Sequence, residues 1–176
     1  IGPVPKVEDC YDPKSMQHVI AGTYPKEEDM HSEMEAVAAI LGKYNVEVFR
    51  PNVIENYNQI FSRDIAFVID DKLVRANILP DRDQEIVAIS HVISKIDSKN
   101  IIKLPEECHV EGGDVIPWNN HIFIGTYSGE DYSDHITART NINAVIDLQE
   151  LFPEKTVKSF ELRKHNTDPK ENALHL

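Results

Sequence analysis

The chain has 176 residues, 41% of them hydrophobic, with a mean hydropathy of -0.38 and 18 basic against 30 acidic side chains, a net charge of -12. That length holds one domain, or one large fragment of a domain, with an ordinary core. The acidic balance and the lack of any Lys/Arg cluster exclude a nucleic-acid partner, whose phosphates would be repelled, but suit a small cationic ligand. No run has the length of a membrane span and none reads as a signal-peptide core, so no membrane partner is expected. Two cysteines, Cys10 and Cys108, make neither a disulfide framework nor a metal knuckle, and a reducing, cytoplasmic setting is the expectation.

Taken in order, His18-Val-Ile-Ala-Gly-Thr23 reads as a short buried strand. A helix follows, with Pro25 in its first turn, Glu27, Glu28 and Asp29 at its positive end, and an apolar stripe of Met30, Met34, Val37, Ala38, Leu41 and Tyr44. Asn45 ends it, and Val46-Glu-Val-Phe49 alternates like a strand. Ile65 to Ile78 holds two apolar runs around Asp70-Asp71-Lys72, a β-hairpin. Asp81 to Ile96 predicts a second helix with Ile86, Ile89, Val92, Ile93 and Ile96 facing inward, and Ile101 to Leu104 returns as a strand. The cycle repeats: a hairpin over Val115–Ile124 turning at Asn119-Asn120, with Trp118 packing it; a helix over Asn141–Phe152 with Val145, Ile146, Leu148 and Leu151 on its apolar side; and a strand over Val157–Leu162. Hairpin, helix, strand is therefore a module of about 50 residues, and such modules cover one another's apolar faces. Ala21-Gly-Thr-Tyr24 and Ile124-Gly-Thr-Tyr127 read as equivalent strand ends. Isoleucine at position 1 and the apolar alternation at Leu174-His-Leu176 suggest a piece of a longer chain.

Polar residues gather where modules meet: Phe61-Ser-Arg-Asp64 before the first hairpin, Glu111-Gly-Gly-Asp114 before the second, and His175 at the next junction. In a radial arrangement Asp64, Glu111, Asp114 and His175 converge on one pocket. Carboxylates accept the parallel N–H groups of a guanidinium two at a time. An imidazole beside them can give a proton to a leaving amine and then activate water, and the glycine pair lets the backbone come close to a ligand. Each motif by itself also reads as a turn or a surface ion pair, as do Arg82 and Arg139 beside helix starts. None of the eight histidines has His-Glu-x-x-His or His-x-His spacing, so neither a metal nor another cofactor is expected. Cys108 reads as a packing residue at a strand end, and Cys10 has no base near it in sequence.

Phe61-Ser-Arg-Asp64, Glu111-Gly-Gly-Asp114, Ala138-Arg-Thr-Asn141 and Leu174-His-Leu176, in that order and at module spacing, resemble the guanidine-modifying superfamily of arginine deiminase, dimethylarginine dimethylaminohydrolase and the amidinotransferases. The resemblance implies an α/β fold, a pentein propeller of ββαβ modules around a pseudo-fivefold axis, of which residues 1–176 are a single incomplete domain, about its N-terminal half. It implies attack by a cysteine on the guanidinium carbon, loss of an amine, and hydrolysis of the thiouronium adduct. Asp64 and Asp114 would hold the substrate nitrogens, Glu111 or Asp114 would pair with the histidine, and His175 would be the acid and base. Arg139, Arg82 and Arg63 would assist substrate binding, the first two at its carboxylate. The family's nucleophilic cysteine sits near the C-terminus, beyond this sequence, so the 176 residues are expected to be inactive alone, completed by further chain or a second copy, with a homodimer among the options. The alternatives are an amidinotransferase with the same pocket and a non-catalytic binding module.

Overall fold

Two hairpins turn on residues in the left-handed backbone region, and each opens a three-stranded sheet of the same topology. The computed structural model describes residues 6–9, 13–55, 57, 59–130, 139–165 and 168–176; Cys10, His135 and Ala138 lie outside them. The contacts divide the chain into two compact units, Ile1–Ile60 and Phe61–Leu176.

In the first unit, α1 (Pro13–Ile20) and α2 (Glu27–Lys43) are helices. The strand expected at His18–Thr23 is corrected: the amides of Ala21 and Thr23 bond back to the carbonyls of Gln17 and His18, ending α1, and Gly22 takes a positive φ of 68°. Val19-Ile20 fits either period, and helical bonding satisfies the backbone locally. Ala21–Tyr24 is thus a turn after a helix, not the counterpart of Ile124–Tyr127. The strand expected at Val46–Phe49 is also absent; this stretch joins no ladder among the described residues. Asn45 ends α2 as expected, at φ 59°. The apolar stripe of α2 lies open within its unit, with no residue of the helix buried.

The second unit begins with the single turn α3 (Ser62–Ile65), which leads into β1 (Ala66–Ile69). Asp70, at φ 54°, turns the chain into β2 (Lys72–Arg75), antiparallel to β1 in the register Phe67 to Val74. The expected single helix over Asp81–Ile96 is instead a 3₁₀ turn, Pro80–Arg82, then α4 (Asp83–Ala88) and α5 (Ser90–Ile93), broken at Ile89. A tight turn there brings Ile86 and Ile89, three residues apart, onto one face, where both pack on Ile65, Ala76 and Ile78. β3 (Ile101–Lys103) then pairs parallel with β2.

The second module repeats the path. β4 (Val115–Trp118) turns at Asn119, φ 50°, into β5 (His121–Thr126), and β6 (Thr156–Glu161) pairs parallel with β5. Between them α6 (Ile142–Leu151) starts at Asn141, whose side chain accepts from the Ala144 amide. Its inner face is Ala144 and Leu148, with Val145 partly buried; Ile146 and Leu151 are exposed, which corrects the expected apolar side. Trp118, opposite His121 at the hairpin tip, is 65% exposed and so no part of the core. Ile69, Val74, Ile122, Ile124 and Leu148 from both modules share one core with Phe67, Val110, Val115 and Phe152. Full burial of each such side chain contributes about 1.5–3 kcal/mol, so the two sheets are held as one body. No helix among the described residues is long and apolar enough to cross a membrane.

Candidate active site

The three junctions come together. Asp64 sits at the end of the turn α3, whose amide bonds to the Phe61 carbonyl, and it is buried. Glu111 and Asp114 bracket a 3₁₀ turn over Gly112–Asp114 and are 0% and 1% exposed. The glycines between them are required by closeness. A Cβ on Gly112 would run into the Arg63 carbonyl, and one on Gly113 would lie 2.8 Å from Asp64 Oδ1 and from the His175 ring. Backbone, acid and imidazole therefore pack on one another here with no space for a side chain.

His175 faces three carboxylates. Its Nδ1 is 3.2 Å from Asp114 Oδ1, and its Nε2 is 3.6 Å from both Asp64 Oδ1 and Glu111 Oε2. Of the two acids that could pair with the histidine, Asp114 makes the hydrogen bond. With Nδ1–H donated to Asp114, Nε2 is the nitrogen that looks into the site. The hydrogen bond to Asp114 raises the imidazole pKa above its ordinary 6.5, burial opposes, and the charges of Asp114, Asp64 and Glu111 add to the rise.

Two guanidinium groups lie on the acids. Arg82 Nη1 donates to Asp64 Oδ2 at 2.9 Å, while its Nε and Nη2 donate to Glu85 Oε1 and Oε2 at 2.7 and 3.1 Å. Arg139 Nη1 donates to Glu111 Oε1 at 3.1 Å. Burial pushes the Glu111 carboxyl up, and Arg139 pulls it back. Neither arginine is the plain surface residue that its place beside a helix start suggests. Arg63 also has a part in the backbone: its Nε and Nη2 donate to the carbonyls of Gly112 and Val115, at 3.1 and 2.9 Å, so its guanidinium holds the chain under the acids.

Three residues that the sequence did not single out complete the site. Thr140 is buried, donates to Asp114 Oδ2 at 2.6 Å and accepts from the Glu111 amide at 3.2 Å, so one hydroxyl ties the Asp114 carboxylate to the backbone of Glu111. Its one signal is its place beside Arg139. Lys164 Nζ donates to the carbonyls of Ala173 and Leu174, at 2.7 and 3.1 Å, fixing the two residues before His175; burial lowers its pKa. Glu85, one turn after Arg82, carries no sequence signal beyond a helix start.

The set has the chemistry of a cation clamp with a proton carrier in it. Asp64, Glu111 and His175 each offer one atom, all within 4.8 Å of one another, a spacing that a metal ion would also fit. The planar N–H groups of Arg82 and Arg139 already lie on the two acids of that trio. Cys108 is the wrong group for a nucleophile: its thiol donates to Asp147 Oδ2 at 2.8 Å, and burial, with Asp147 adding, pushes its pKa up to about 12.

The repeated path of hairpin, helix and parallel return strand is shared with solved structures. A dimethylarginine dimethylaminohydrolase, solved as an adduct with 4-chloro-2-hydroxymethylpyridine, matches 80% of this chain and 54% of its own, with a TM-score of 0.65 at 15% identity. SxtG, an amidinotransferase from Microseira wollei in the saxitoxin biosynthetic pathway, matches 81% of this chain and 52% of its own, with a TM-score of 0.61 at 16% identity. The fold is that of the pentein superfamily. The N-terminal domain of ArgZ, a cyanobacterial arginine dihydrolase of the ornithine-ammonia cycle solved with its substrate, shares the pentein fold over 75% of this chain and 46% of its own, with a TM-score of 0.56 at 12% identity. In sequence, an uncharacterized protein of Bacillus subtilis, YkgA, is 30% identical over 150 residues, which are 84% of this chain and 45% of that protein. No protein-family profile matches the chain. The chain thus spans about half the length of each of these proteins, with two complete ββαβ modules among the described residues.

Proposed function

We propose that Asp64, Glu111, Asp114 and His175 form the guanidinium-binding and proton-transfer part of an enzyme that hydrolyses the guanidino group of arginine, a methylated arginine or a related amidine. The observation that carries this is the imidazole enclosed by three buried carboxylates, with its Nε2 equidistant from Asp64 and Glu111. Such acids bind a planar cation through paired N–H···O bonds in a low-dielectric site. The raised imidazole pKa keeps Nε2–H available near neutral pH for the amine that leaves the guanidinium carbon. The arginines that rest on the acids without a ligand are cations of the same shape as the proposed substrate. On binding, the substrate guanidinium takes the acid oxygens that face His175, and the remaining N–H groups of Arg139 and Arg82 serve its carboxylate.

A cysteine thiolate would attack the guanidinium carbon, the amine would depart with the His175 proton, and water activated by the neutral imidazole would release a urea-type product and the thiol. Cys108 does not fit that nucleophile, so it is supplied from outside the described residues, by further chain or a partner that completes the five-module ring. The reading expects calorimetry of the purified 176 residues with arginine and with methylarginine to show binding of at least one, lost in Asp114→Ala. It also expects no citrulline from the 176 residues alone. Citrulline above a heat-killed control would overturn the assignment of the nucleophile, and the absence of any guanidinium binding would overturn the site. If an added primary amine resolves the adduct in place of water, the enzyme is an amidinotransferase with the same pocket.

A further inference from the structure

We infer that Glu85 is a positioning residue for this site, acting through Arg82 to hold Asp64 open toward an incoming cation. The inference rests on the reading of the site as a guanidinium clamp. Glu85 is 2% exposed, and both its oxygens are taken by Arg82, through Nε at 2.7 Å and Nη2 at 3.1 Å. A carboxylate buried this deeply is costly unless paired, and the two-pronged pair with a guanidinium is the arrangement that meets that cost. The same fork fixes the plane of Arg82, leaving Nη1 to donate to Asp64 Oδ2 at 2.9 Å and to stand 3.7 Å from Glu111 Oε1. With Oδ2 so engaged, Asp64 presents Oδ1 to His175 Nε2. The chain of contacts runs Glu85, Arg82, Asp64, His175.

The consequence is a division of charge. Arg82 is shared between an acid behind it and the acids of the clamp, and Glu85 is the largest cause of the raised pKa of its guanidinium. Take the Glu85 charge away, and Arg82 has only Asp64 and Glu111 to neutralise. It then becomes an internal competitor for the acids that the substrate needs. Glu85 is therefore what keeps Arg82 from closing the clamp on itself.

Glu85→Gln keeps the shape and tests the charge. Three readouts are taken on the 176-residue chain: thermal unfolding, arginine binding by calorimetry, and titration of the His175 ring by NMR. The expectation is a folded variant, arginine binding weaker by about tenfold, as for a buried charge-assisted pair displaced by one step, and a His175 pKa lower than in the parent. Glu85→Gln in an Arg82→Gln background adds no further change in the ring titration, because the effect passes through Arg82. A Glu85→Gln chain with the parent His175 titration and parent affinity overturns the inference, whatever its melting temperature. If the parent chain binds no guanidinium, the proposed function fails, while the ring titration, which needs no ligand, still decides whether Glu85 acts through Arg82. Should Glu85→Gln not fold, Glu85→Asp is measured in the same way, with unchanged titration and affinity again overturning the inference.

Discussion

At the scale of single residues, Asp114 decides the state of His175. Its hydrogen bond to Nδ1 is the largest cause of the raised imidazole pKa, against which burial works. Asp114→Asn is expected to lower that pKa, read from the ring carbon protons over a pH series. The sign for stability follows from linkage: a raised folded pKa contributes stability in full below the ordinary 6.5, and the contribution is lost as pH rises through the folded value. The parent chain should therefore lose melting temperature over that window, and the Asn variant should lose less of it; equal slopes would refute the coupling. The acids of this site were legible because Glu111-Gly-Gly-Asp114 is an unusual grouping that a plain turn does not need. Thr140, Glu85 and Lys164 were not, because each looks like an ordinary helix-start or strand-end residue until the fold brings its partner from 26 residues away for Thr140 and 18 for the Arg82–Asp64 pair that Glu85 supports. A threonine hydroxyl has no pattern in sequence that marks it as a link between one acid's carboxylate and the backbone of another.

Elements follow the same division between local and distant causes. Both hairpins were legible since Asp70-Asp71 and Asn119-Asn120 carry their turn chemistry within two residues, and both first residues do take a positive φ. The strand expected at His18–Thr23 failed because a short apolar run has no inherent period; it is a strand only if another strand lies beside it. On α6, composition marked four apolar positions, but only packing chooses among them. Leu148 is fully buried while Ile146 is half exposed. Leu148→Ala should cost about 2–5 kcal/mol in urea unfolding, as a large-to-small change in a packed core does, whereas Ile146→Ala should stay within about 1 kcal/mol. Similar losses for the two would mean that the helix presents a different face.

Over the whole molecule, one side chain ties the two modules at their tips. Lys155, from the turn before β6, reaches Asp70 Oδ1 at 2.9 Å and the Asn119 carbonyl at 3.0 Å, so it touches the turning residue of each hairpin. Asp70 is more than half exposed, and an ion pair to it is screened by water; the charge-assisted bond from the buried ammonium to the Asn119 carbonyl carries more. Lys155→Met is expected to cost about 1–2 kcal/mol, and Asp70→Asn less than about 0.5 kcal/mol, by urea unfolding at low and high salt. A salt-sensitive loss of equal size in both would reverse that ranking. Fixing the tips has a further meaning for the opposite ends of the strands. Measured from the lysine, the chain runs back along β1 to Asp64 and along β4 to Asp114, and each strand is four residues long. The strands are rulers with a common zero, and the gap between the carboxylates is the difference of two lengths. Inserting one residue in β4 would move Asp114 by about 3.4 Å and turn it to the other face of the sheet. Core packing would tolerate many exchanges of one apolar residue for another, but the count of residues between tip and acid is a dimension of the site itself.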